Sequence, residues 1–285
     1  MRDPLKITWL ASYPKSGNTM IRAFLTAYWQ WGRLDINGLD YCLGDVHPYY
    51  YQTVSPRPLE DLDMKDHVLL RPASLMHLQQ VARYQPLLVK THHINASIFG
   101  TDLIPAPLTE QVIYIVRDPR DIAISYANHF SCSIDDAIHS MNDEGRHIGD
   151  DIHHHLGTWS MHVNSYRTAK AFKVGLVKYE DILKDPKEKL GNLLRYLGFE
   201  VNEERLDLAI EASSFDKLQA QEKEKGFNET PHEGITFFRK GTPGEWRDVL
   251  TEEQIEKIQS DHGEVMKSLG YLEEEDADYR TYKEG

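Results

Sequence analysis

A lysine in a tight turn near the start of the chain is the first feature that could do chemistry. The segment Ser12–Thr19, SYPKSGNT, follows a short apolar run, and a helical pattern begins directly after it. Gly17 shapes the turn, Asn18 or Thr19 is expected to cap the helix, and the first helical N–H groups point into the turn. Such a junction, with Lys15 in it, can cradle a phosphate. It is not a Walker A loop, because the lysine precedes the glycine. An ordinary turn with an exposed lysine is the alternative.

Two later segments carry cations that could hold a second phosphate. Arg117 ends another apolar run and Ser125 lies on the predicted helix after it, so that both could bind one phosphate. The glycine-rich stretch Phe238–Trp246, FRKGTPGEW, joins two cations to a flexible backbone that could close over an anion. The alternatives are a structural Arg–Asp network at a helix start for the first segment and a solvated surface loop for the second.

Histidines are the candidates for proton transfer, because their ordinary pKa of about 6.5 suits neutral pH. His92 directly follows an apolar run, in the context Lys90-Thr91-His92. A histidine taken alone is more often a structural side chain. His93 could compete for the role, although alternation along an extended chain sends it to the opposite side. The run His153–His155 resembles a metal cluster, but consecutive histidines on a helix point in different directions, so that no metal site is predicted there.

The elements that must position these residues alternate between strand and helix. Four short apolar segments are typical of strands buried on both faces of a parallel sheet; they are Leu5–Ala11, Leu87–Thr91, Val112–Val116 and Val174–Tyr179. Helical patterns follow the first and the fourth of them, and a last helix is predicted from Thr251 to Leu269. The predicted fold is therefore a single α/β domain over residues 1–285, with a mostly parallel sheet flanked by helices and ligands at the carboxyl ends of the strands. Residues 35–58 and 226–247 show no regular pattern.

Composition excludes several classes of protein. The 285 residues carry 32 lysines and arginines against 45 acidic residues, a net charge of −13 that disfavours nucleic-acid binding. No apolar run approaches the roughly 20 residues that span a bilayer, and the first residues show no signal peptide. Cys42 and Cys132 form neither a disulfide framework nor a zinc spacing. The sequence therefore predicts a cytoplasmic protein with no membrane or nucleic-acid partner.

Taken together, the three charged segments resemble the motifs of the cytosolic-type sulfotransferases that use 3′-phosphoadenosine 5′-phosphosulfate (PAPS). The turn YPKSG is similar to that family's 5′-phosphosulfate loop, VRDPRDIAISY to its 3′-phosphate motif, and FRKGTPGEW to its late RKGxxGxW signature. The order and the spacings match as well. The resemblance spans about residues 5 to 251 and leaves the C-terminal helix and tail, 251–285, outside it.

The resemblance implies a role for each matching residue. The implied 5′-phosphosulfate contacts are Lys15, Ser16, Gly17, Asn18 and Thr19. The implied 3′-phosphate contacts are Arg117, Ser125, Arg239, Lys240 and Gly241, and adenine is held by Tyr179 and Phe215. His92 falls on the family's catalytic base and Lys90 on its partner lysine.

The sequence departs from the family's pattern at several positions. Met20 replaces the tryptophan that usually stacks on adenine, and Asn18 replaces the first threonine of the usual pair. The C-terminal dimer motif is barely recognisable around Thr251–Glu253, so that the oligomeric state stays open, with a homodimer as one option.

The implied reaction is the transfer of a sulfuryl group from PAPS to a hydroxyl, less often an amine, of a small-molecule acceptor. It is an in-line displacement in which His92 is the general base and Lys15 meets the charge on the leaving oxygen. No metal is required, because lysine and arginine supply the positive charge. The acceptor pocket is expected from residues 35–58, 128–150 and 226–236. Two alternatives are a P-loop-type kinase or NTPase, disfavoured by the missing Walker lysine, and a nucleotide-binding module without catalysis, disfavoured by the presence of both Lys15 and His92.

Overall fold

Five parallel strands form the central sheet in the computed structural model, which describes residues 5–149, 152–231 and 234–272. The strands of the chain are β1 Ile7–Ser12, β2 Cys42–Gly44, β3 Leu87–Thr91, β4 Ser97–Ile98, β5 Thr101–Asp102, β6 Thr109–Val116, β7 His147–Ile148, β8 His154–His155 and β9 Lys173–Lys178. The sheet order is β2-β3-β1-β6-β9, and every pair in it is parallel. The short pairs β4–β5 and β7–β8 are antiparallel.

Helices connect the strands and cover the sheet. They are α1 Asn18–Trp29, α2 Pro48–Val54, α3 Met64–Val81, α4 Pro119–Phe130, α5 Ile134–Met141, α6 Trp159–Arg167, α7 Tyr179–Lys184, α8 Pro186–Tyr196, α9 Glu203–Ala212, α10 Phe215–Lys225, α11 Trp246–Val249 and α12 Glu252–Ser268. None of those described is long and apolar enough to cross a bilayer. The predicted single α/β domain, with its parallel sheet and flanking helices, is confirmed.

Strand β1 is buried along its whole length because both faces of the sheet are covered. Alternation along the strand sends Trp9 to the face that packs against the aromatic side chains of α6, and Leu10 to the face that packs against α1. Trp9 Nε1 donates a hydrogen bond of 2.9 Å to Thr109 Oγ1, so that its one polar group is paired inside the core.

Residues 35–58, which showed no regular pattern, contain β2 and α2, so that this expectation was wrong. Helix α2 begins at Pro48, where the missing N–H would have had no helical partner, and His47 Nδ1 accepts a hydrogen bond of 3.2 Å from Tyr49 N. This cap has no strong sequence signature because histidine is an unusual capping residue. The described residues 226–231 and 234–245 are irregular as expected, whereas Trp246 and Arg247, expected to be irregular too, begin α11. The predicted tail beyond residue 272 lies outside the described residues.

The predicted cap of α1 was also wrong. Gly17, with φ 101°, precedes the helix, and no side chain caps it. Asn18 instead turns its amide back toward the strand, where Nδ2 donates to Leu10 O at 3.1 Å and to Ser12 Oγ at 3.3 Å. The N–H groups of the first helical turn thus remain available to a ligand.

Candidate active site

Four parallel strands end at one cleft of about 660 Å³. The candidate residues that follow the ends of β1, β3, β6 and β9 and line this cleft are, in that order, Lys15, His92, Arg117 and Tyr179. Four segments that are distant in the sequence are thereby brought together, as predicted for ligands at the carboxyl edge of such a sheet.

The turn after β1 forms the floor of the cleft. Lys15 and Gly17 both adopt positive φ, 68° and 101°, so that the chain reverses tightly before α1. A Cβ atom on Gly17 would lie 2.4 Å from Tyr179 Cδ2, so that only glycine lets the Tyr179 ring pack against the turn. Asn18 and Thr19 also line the cleft, whereas the Ser16 side chain is buried beneath the turn and is not part of the lining. Ser16 can therefore contribute only through its backbone.

The surroundings of Lys15 disfavour its charged form, and a bound anion would stabilise that form. Its Nζ lies 3.4 Å from His129 Nδ1 and 3.9 Å from the centre of the Phe237 ring. Burial, and then the positive charges of Arg117 and Lys90, lower the pKa of Lys15 to about 7. A lysine that is half neutral near pH 7 becomes fully charged when an anion approaches it.

The residues predicted to contact the 3′-phosphate all line this cleft. Arg117 donates from Nη1 to Lys15 O at 3.1 Å, and its guanidinium stacks 4.8 Å from the centre of the Tyr179 ring. Ser125, Arg239, Lys240 and Gly241 line the cleft as well. Since a guanidinium binds a phosphate with two parallel hydrogen bonds, Arg117 is placed to hold a phosphate at this edge.

The glycine-rich loop is held over the cleft by two carboxylates. Asp121 on α4 accepts hydrogen bonds from Gly244 N at 2.7 Å and from Trp246 N at 3.1 Å. Glu245 accepts a hydrogen bond of 2.8 Å from Arg239 Nη1 and lies 3.6 Å from Lys240 Nζ. These contacts hold Arg239 and Lys240 in the lining of the cleft.

An apolar part of the cleft adjoins the glycine-rich loop. A Cβ atom on Gly241 would lie 2.1 Å from Phe215 Cδ2, so that the loop backbone packs directly on the Phe215 ring. Tyr179 OH donates to Gly241 O at 3.3 Å. Met20 lines the same region with aliphatic side chains of α7, α8 and α9. The methionine therefore supplies an apolar surface where the family usually has a tryptophan.

His92 is arranged as a proton acceptor. Its Nδ1 lies 2.8 Å from Ser12 O, an oxygen that can only accept, so that Nδ1 carries the proton and Nε2 is left basic for the cleft. Burial, and then the charges of Lys90 and His154, hold the pKa of His92 well below its usual range. The ring is therefore neutral at pH 7, as a general base must be before it acts.

Glu229 is a cleft residue that the sequence indicated only as part of the range 226–236, without singling it out. Its carboxylate lies 2.5 Å from Arg22 Nη1 and 3.7 Å from Lys90 Nζ. Burial disfavours its charge, but the two cations outweigh that effect and hold its pKa at about 2. No spacing in the sequence links this loop residue to partners on α1 and β3, so that no signal could have found it.

The histidine run His153–His155 does not lie on a helix, as the sequence analysis assumed. His154 and His155 lie on β8, not on a helix, so that the reason given against a metal site was wrong. His154 faces the large cleft, whereas His153 and His155 face a small separate cavity. Asp45, His93 and His154 bring possible ligand atoms within 4.8 Å of one another.

The ranges expected to form the acceptor pocket only partly line the cleft. Residues 35–58 do not line it, contrary to expectation, whereas residues of 128–149 and 229–231 do.

Comparisons with known proteins give the same class as the fold and the site. A model of the sulfotransferase domain matches residues 6–270. Rat sulfotransferase 1A1 is 27% identical over 271 residues, which cover 92% of this chain and 85% of the relative. Flavonol 3-sulfotransferase of Flaveria bidentis is 27% identical over 289 residues, with 93% and 83% covered.

Two solved structures share the fold. Retinol dehydratase in complex with androsterone and the inactive cofactor PAP superposes with a TM-score of 0.63 at 22% identity, covering 94% of this chain and 82% of that one. A mouse sulfotransferase complexed with PAP gives a TM-score of 0.59 at 19% identity, with 93% and 86% covered.

The chain belongs to the sulfotransferase-domain family. It is a transferase that takes its sulfuryl group from PAPS and acts on a small-molecule acceptor, as predicted from the three motifs. The two alternatives, a P-loop-type kinase or NTPase and a non-catalytic nucleotide-binding module, have no support from these findings.

Proposed function

We propose that this sulfotransferase transfers the sulfuryl group to a hydroxyl of its acceptor, less readily to an amine, with His92 as the general base. The observation that carries the proposal is that the neutral His92 and the amino group of Lys15 line one cleft. The Nε2 of His92 takes no part in the contact with Ser12 O. A hydroxyl is favoured because it gives up its proton to a neutral imidazole, whereas a protonated amine is repelled by the cleft cations.

PAPS supplies an activated sulfuryl group whose bond to the 5′-phosphate breaks as the acceptor oxygen attacks. His92 Nε2 takes the proton that the acceptor hydroxyl loses. Lys15 faces the negative charge that develops on the phosphate oxygen that leaves. A unit-charge pair at about 4 Å is worth about 4 kcal/mol at an effective dielectric of 20. Lys90, close to both groups, adds positive charge beside the transferred group.

We assign the nucleotide contacts from the shape and charge of the cleft. The 5′-phosphosulfate is held by the turn, through Lys15, Thr19 and the backbone of Ser16, Gly17 and Asn18. The 3′-phosphate is held by Arg117, Ser125, Arg239, Lys240 and Gly241, and the adenine by Tyr179 and Phe215 with Met20. The supporting observation is that the Tyr179 and Phe215 rings pack against the two glycines of the phosphate loops. We place the enzyme in the cytoplasm, in keeping with its two free cysteines.

The experiment that tests this function is a screen of alcohols, phenols, sugars and amines with sulfur-labelled PAPS. We expect labelled product from at least one hydroxyl acceptor. Lys15→Ala is the inactive comparison, because it removes charge that meets both the bound nucleotide and the leaving oxygen. Transfer to amines alone, or phosphoryl transfer from ATP and magnesium without any transfer from PAPS, would contradict the proposal.

A further inference from the structure

A carboxylate in the lining of the cleft lies between two cations. Glu229 Oε1 accepts a hydrogen bond of 2.5 Å from Arg22 Nη1, and Glu229 Oε2 lies 3.7 Å from Lys90 Nζ. Lys90 of β3 and Glu229 both line the cleft, whereas Arg22 is a buried residue of α1. The reaction as described above makes use of Lys90 and gives Glu229 no part.

The charged form of Lys90 is disfavoured by burial and favoured by Glu229. Burial lowers the pKa of the Lys90 ammonium group, the carboxylate of Glu229 raises it, and the guanidinium of Arg22 lowers it further. Glu229 can supply this negative charge because, although burial disfavours its ionised form, the two cations hold its own pKa at about 2. The other described groups whose charges act on Lys90 are Cys42, Asp45, Lys15, His92 and His154.

The other groups near Lys90 that can be negative are less well placed than Glu229. Burial raises the pKa of the Cys42 thiol to about 11, so that this group is neutral at pH 7. Asp45 is paired with Arg71, whose Nη2 lies 2.6 Å from Asp45 Oδ2. Among the residues that the structure describes, Glu229 is the only carboxylate that forms an ion pair with Lys90. The positive charge of Lys90 therefore depends mainly on Glu229.

The residues before Glu229 fix the loop that carries it. Asn228 N donates a hydrogen bond of 2.9 Å to Asn37 Oδ1, and the centre of the buried Phe227 ring lies 4.9 Å from that of Phe237. These contacts do not involve the carboxylate, so that its charge can be removed without releasing the loop backbone at this point.

We propose that Glu229 is a positioning residue for the sulfuryl transfer, whose carboxylate keeps the Lys90 ammonium group charged beside the sulfuryl group. It offsets the repulsion that Arg22 and Lys15 exert on Lys90, so that positive charge can collect in this part of the cleft. Glu229 acts through Lys90 and takes no proton from the acceptor. This inference rests on the proposed part of Lys90 in the transfer to a hydroxyl.

Support of the loop is the alternative role of Glu229, and the two roles predict opposite effects on nucleotide affinity. The same loop continues to Arg239 and Gly241, so that a structural role would make Glu229→Gln weaken the binding of adenosine 3′,5′-bisphosphate. The proposed role predicts equal or tighter binding, because the variant removes a negative charge from a cleft that binds an anion. The measurement is made at pH 6, where Lys15, with a pKa of about 7, is mostly charged. Binding more than about threefold weaker than in the wild type would refute the proposal.

The pKa of Lys90 can be observed directly by carbon-13 NMR of lysine-labelled protein, assigned with Lys90→Met. We expect Glu229→Gln to lower that pKa by about one unit or more, because a nearby opposite charge favours the ammonium form. Glutamine keeps an oxygen that can accept from Arg22, so that the variant changes the charge more than the shape. Glu224→Gln, at an exposed glutamate of α10, is the control and should leave the pKa unchanged. An unchanged pKa of Lys90 in Glu229→Gln would refute the proposal.

A second pair of variants keeps this test decisive if Glu229→Gln does not fold with Arg22 unpaired. Arg22→Met is then compared with the double variant Arg22→Met/Glu229→Gln, in which no buried guanidinium has lost its partner. The double variant should show the lower pKa of Lys90, and equal values would refute the proposal.

The pH dependence of the transfer rate tests the link to the reaction, in single turnovers with saturating PAPS and a saturating aliphatic alcohol. The rate should fall at high pH as Lys90 loses its proton. In Glu229→Gln the fall should begin about one pH unit lower, because removal of the carboxylate lowers the pKa of Lys90. In a Lys90→Arg background the same change should no longer move the fall, since arginine keeps its charge throughout. A shift that persists there would assign the effect to another group, such as Lys15, and would refute the proposal.

The two measurements also separate this inference from the proposed function. If Lys90→Arg does not turn over, the kinetic shift in Glu229→Gln must equal the change in the pKa of Lys90 seen by NMR, and a mismatch would refute the proposal. If PAPS gave no transfer to any hydroxyl, the proposed function would fail instead, and the NMR titration would still decide whether Glu229 sets the charge of Lys90.

Discussion

Binding of adenosine 3′,5′-bisphosphate (PAP) should take up a proton at Lys15. The pKa of Lys15 is about 7 in the free protein, because burial and the charges of Arg117 and Lys90 disfavour the ammonium form. A bound phosphate replaces those repulsions by an attraction and raises that pKa. At pH 8, with a free pKa of about 7, roughly nine lysines in ten are neutral before binding, so that the uptake approaches about 0.9 proton. At pH 6 the uptake from Lys15 falls to about 0.1 proton.

Proton uptake at Lys15 also makes the affinity for PAP depend on pH. Only the charged lysine meets the phosphate well, so that the affinity for PAP should fall as pH rises above about 7, the free pKa of Lys15. The fall should approach about tenfold per pH unit until the pKa of the complex is reached. The phosphates do not confuse the measurement at pH 8, because their second pKa is about 6 and they are already ionised.

Isothermal titration calorimetry in buffers of different ionisation enthalpy measures this uptake directly. The observed enthalpy at pH 8 should change with the buffer with a slope close to one proton. Lys15→Met should abolish the slope, whereas Lys90→Met, at another lysine of the cleft, should keep most of it. No buffer dependence in the wild type, or the same slope in Lys15→Met, would refute the electrostatic account of the turn.

Two further predictions concern the 3′-phosphate and the glycine-rich loop. In the wild type, PAP at 100 times its dissociation constant should stabilise the fold by about 2.7 kcal/mol, and AMP by much less at the same concentration; Arg117→Ala should make the two thermal shifts equal, and a retained difference would contradict the 3′-phosphate assignment. Gly241→Ala should weaken PAP at least tenfold, because its Cβ would meet the Phe215 ring at 2.1 Å. Gly226→Ala, also at positive φ but in open space, should keep PAP affinity in the same titration.

The strands and the phosphate turn could be predicted because their signals are local. Continuous apolar runs such as Leu87–Thr91 mark strands buried on both faces, and the predicted range matches β3. The turn at Lys15 could be read from its glycine and from the change of periodicity into α1. Since the carboxyl ends of parallel strands share one edge, the convergence of Lys15, His92 and Arg117 followed from the fold class alone.

Contacts that depend on loops between distant segments could not be predicted. Glu229 reaches Arg22 and Lys90 from an irregular loop whose path no periodicity encodes. His154 was assigned to a helix because a run of three histidines carries no strand or helix signature, although its place in a hairpin is what directs it to the cleft. Polar packing of this kind is decided by tertiary geometry, which a single sequence does not specify locally.

The most direct test of the central claim is to separate chemistry from nucleotide binding at His92. Turnover of labelled PAPS with a saturating alcohol should fall about 10²- to 10⁴-fold in His92→Ala, while the dissociation constant of PAP stays close to that of the wild type. His139→Ala, an exposed histidine of α5, should leave both unchanged. The alcohol must not be acidic, because a nearly ionised phenol needs little help in losing its proton. Retention of more than about a tenth of wild-type turnover in His92→Ala would contradict its role as general base.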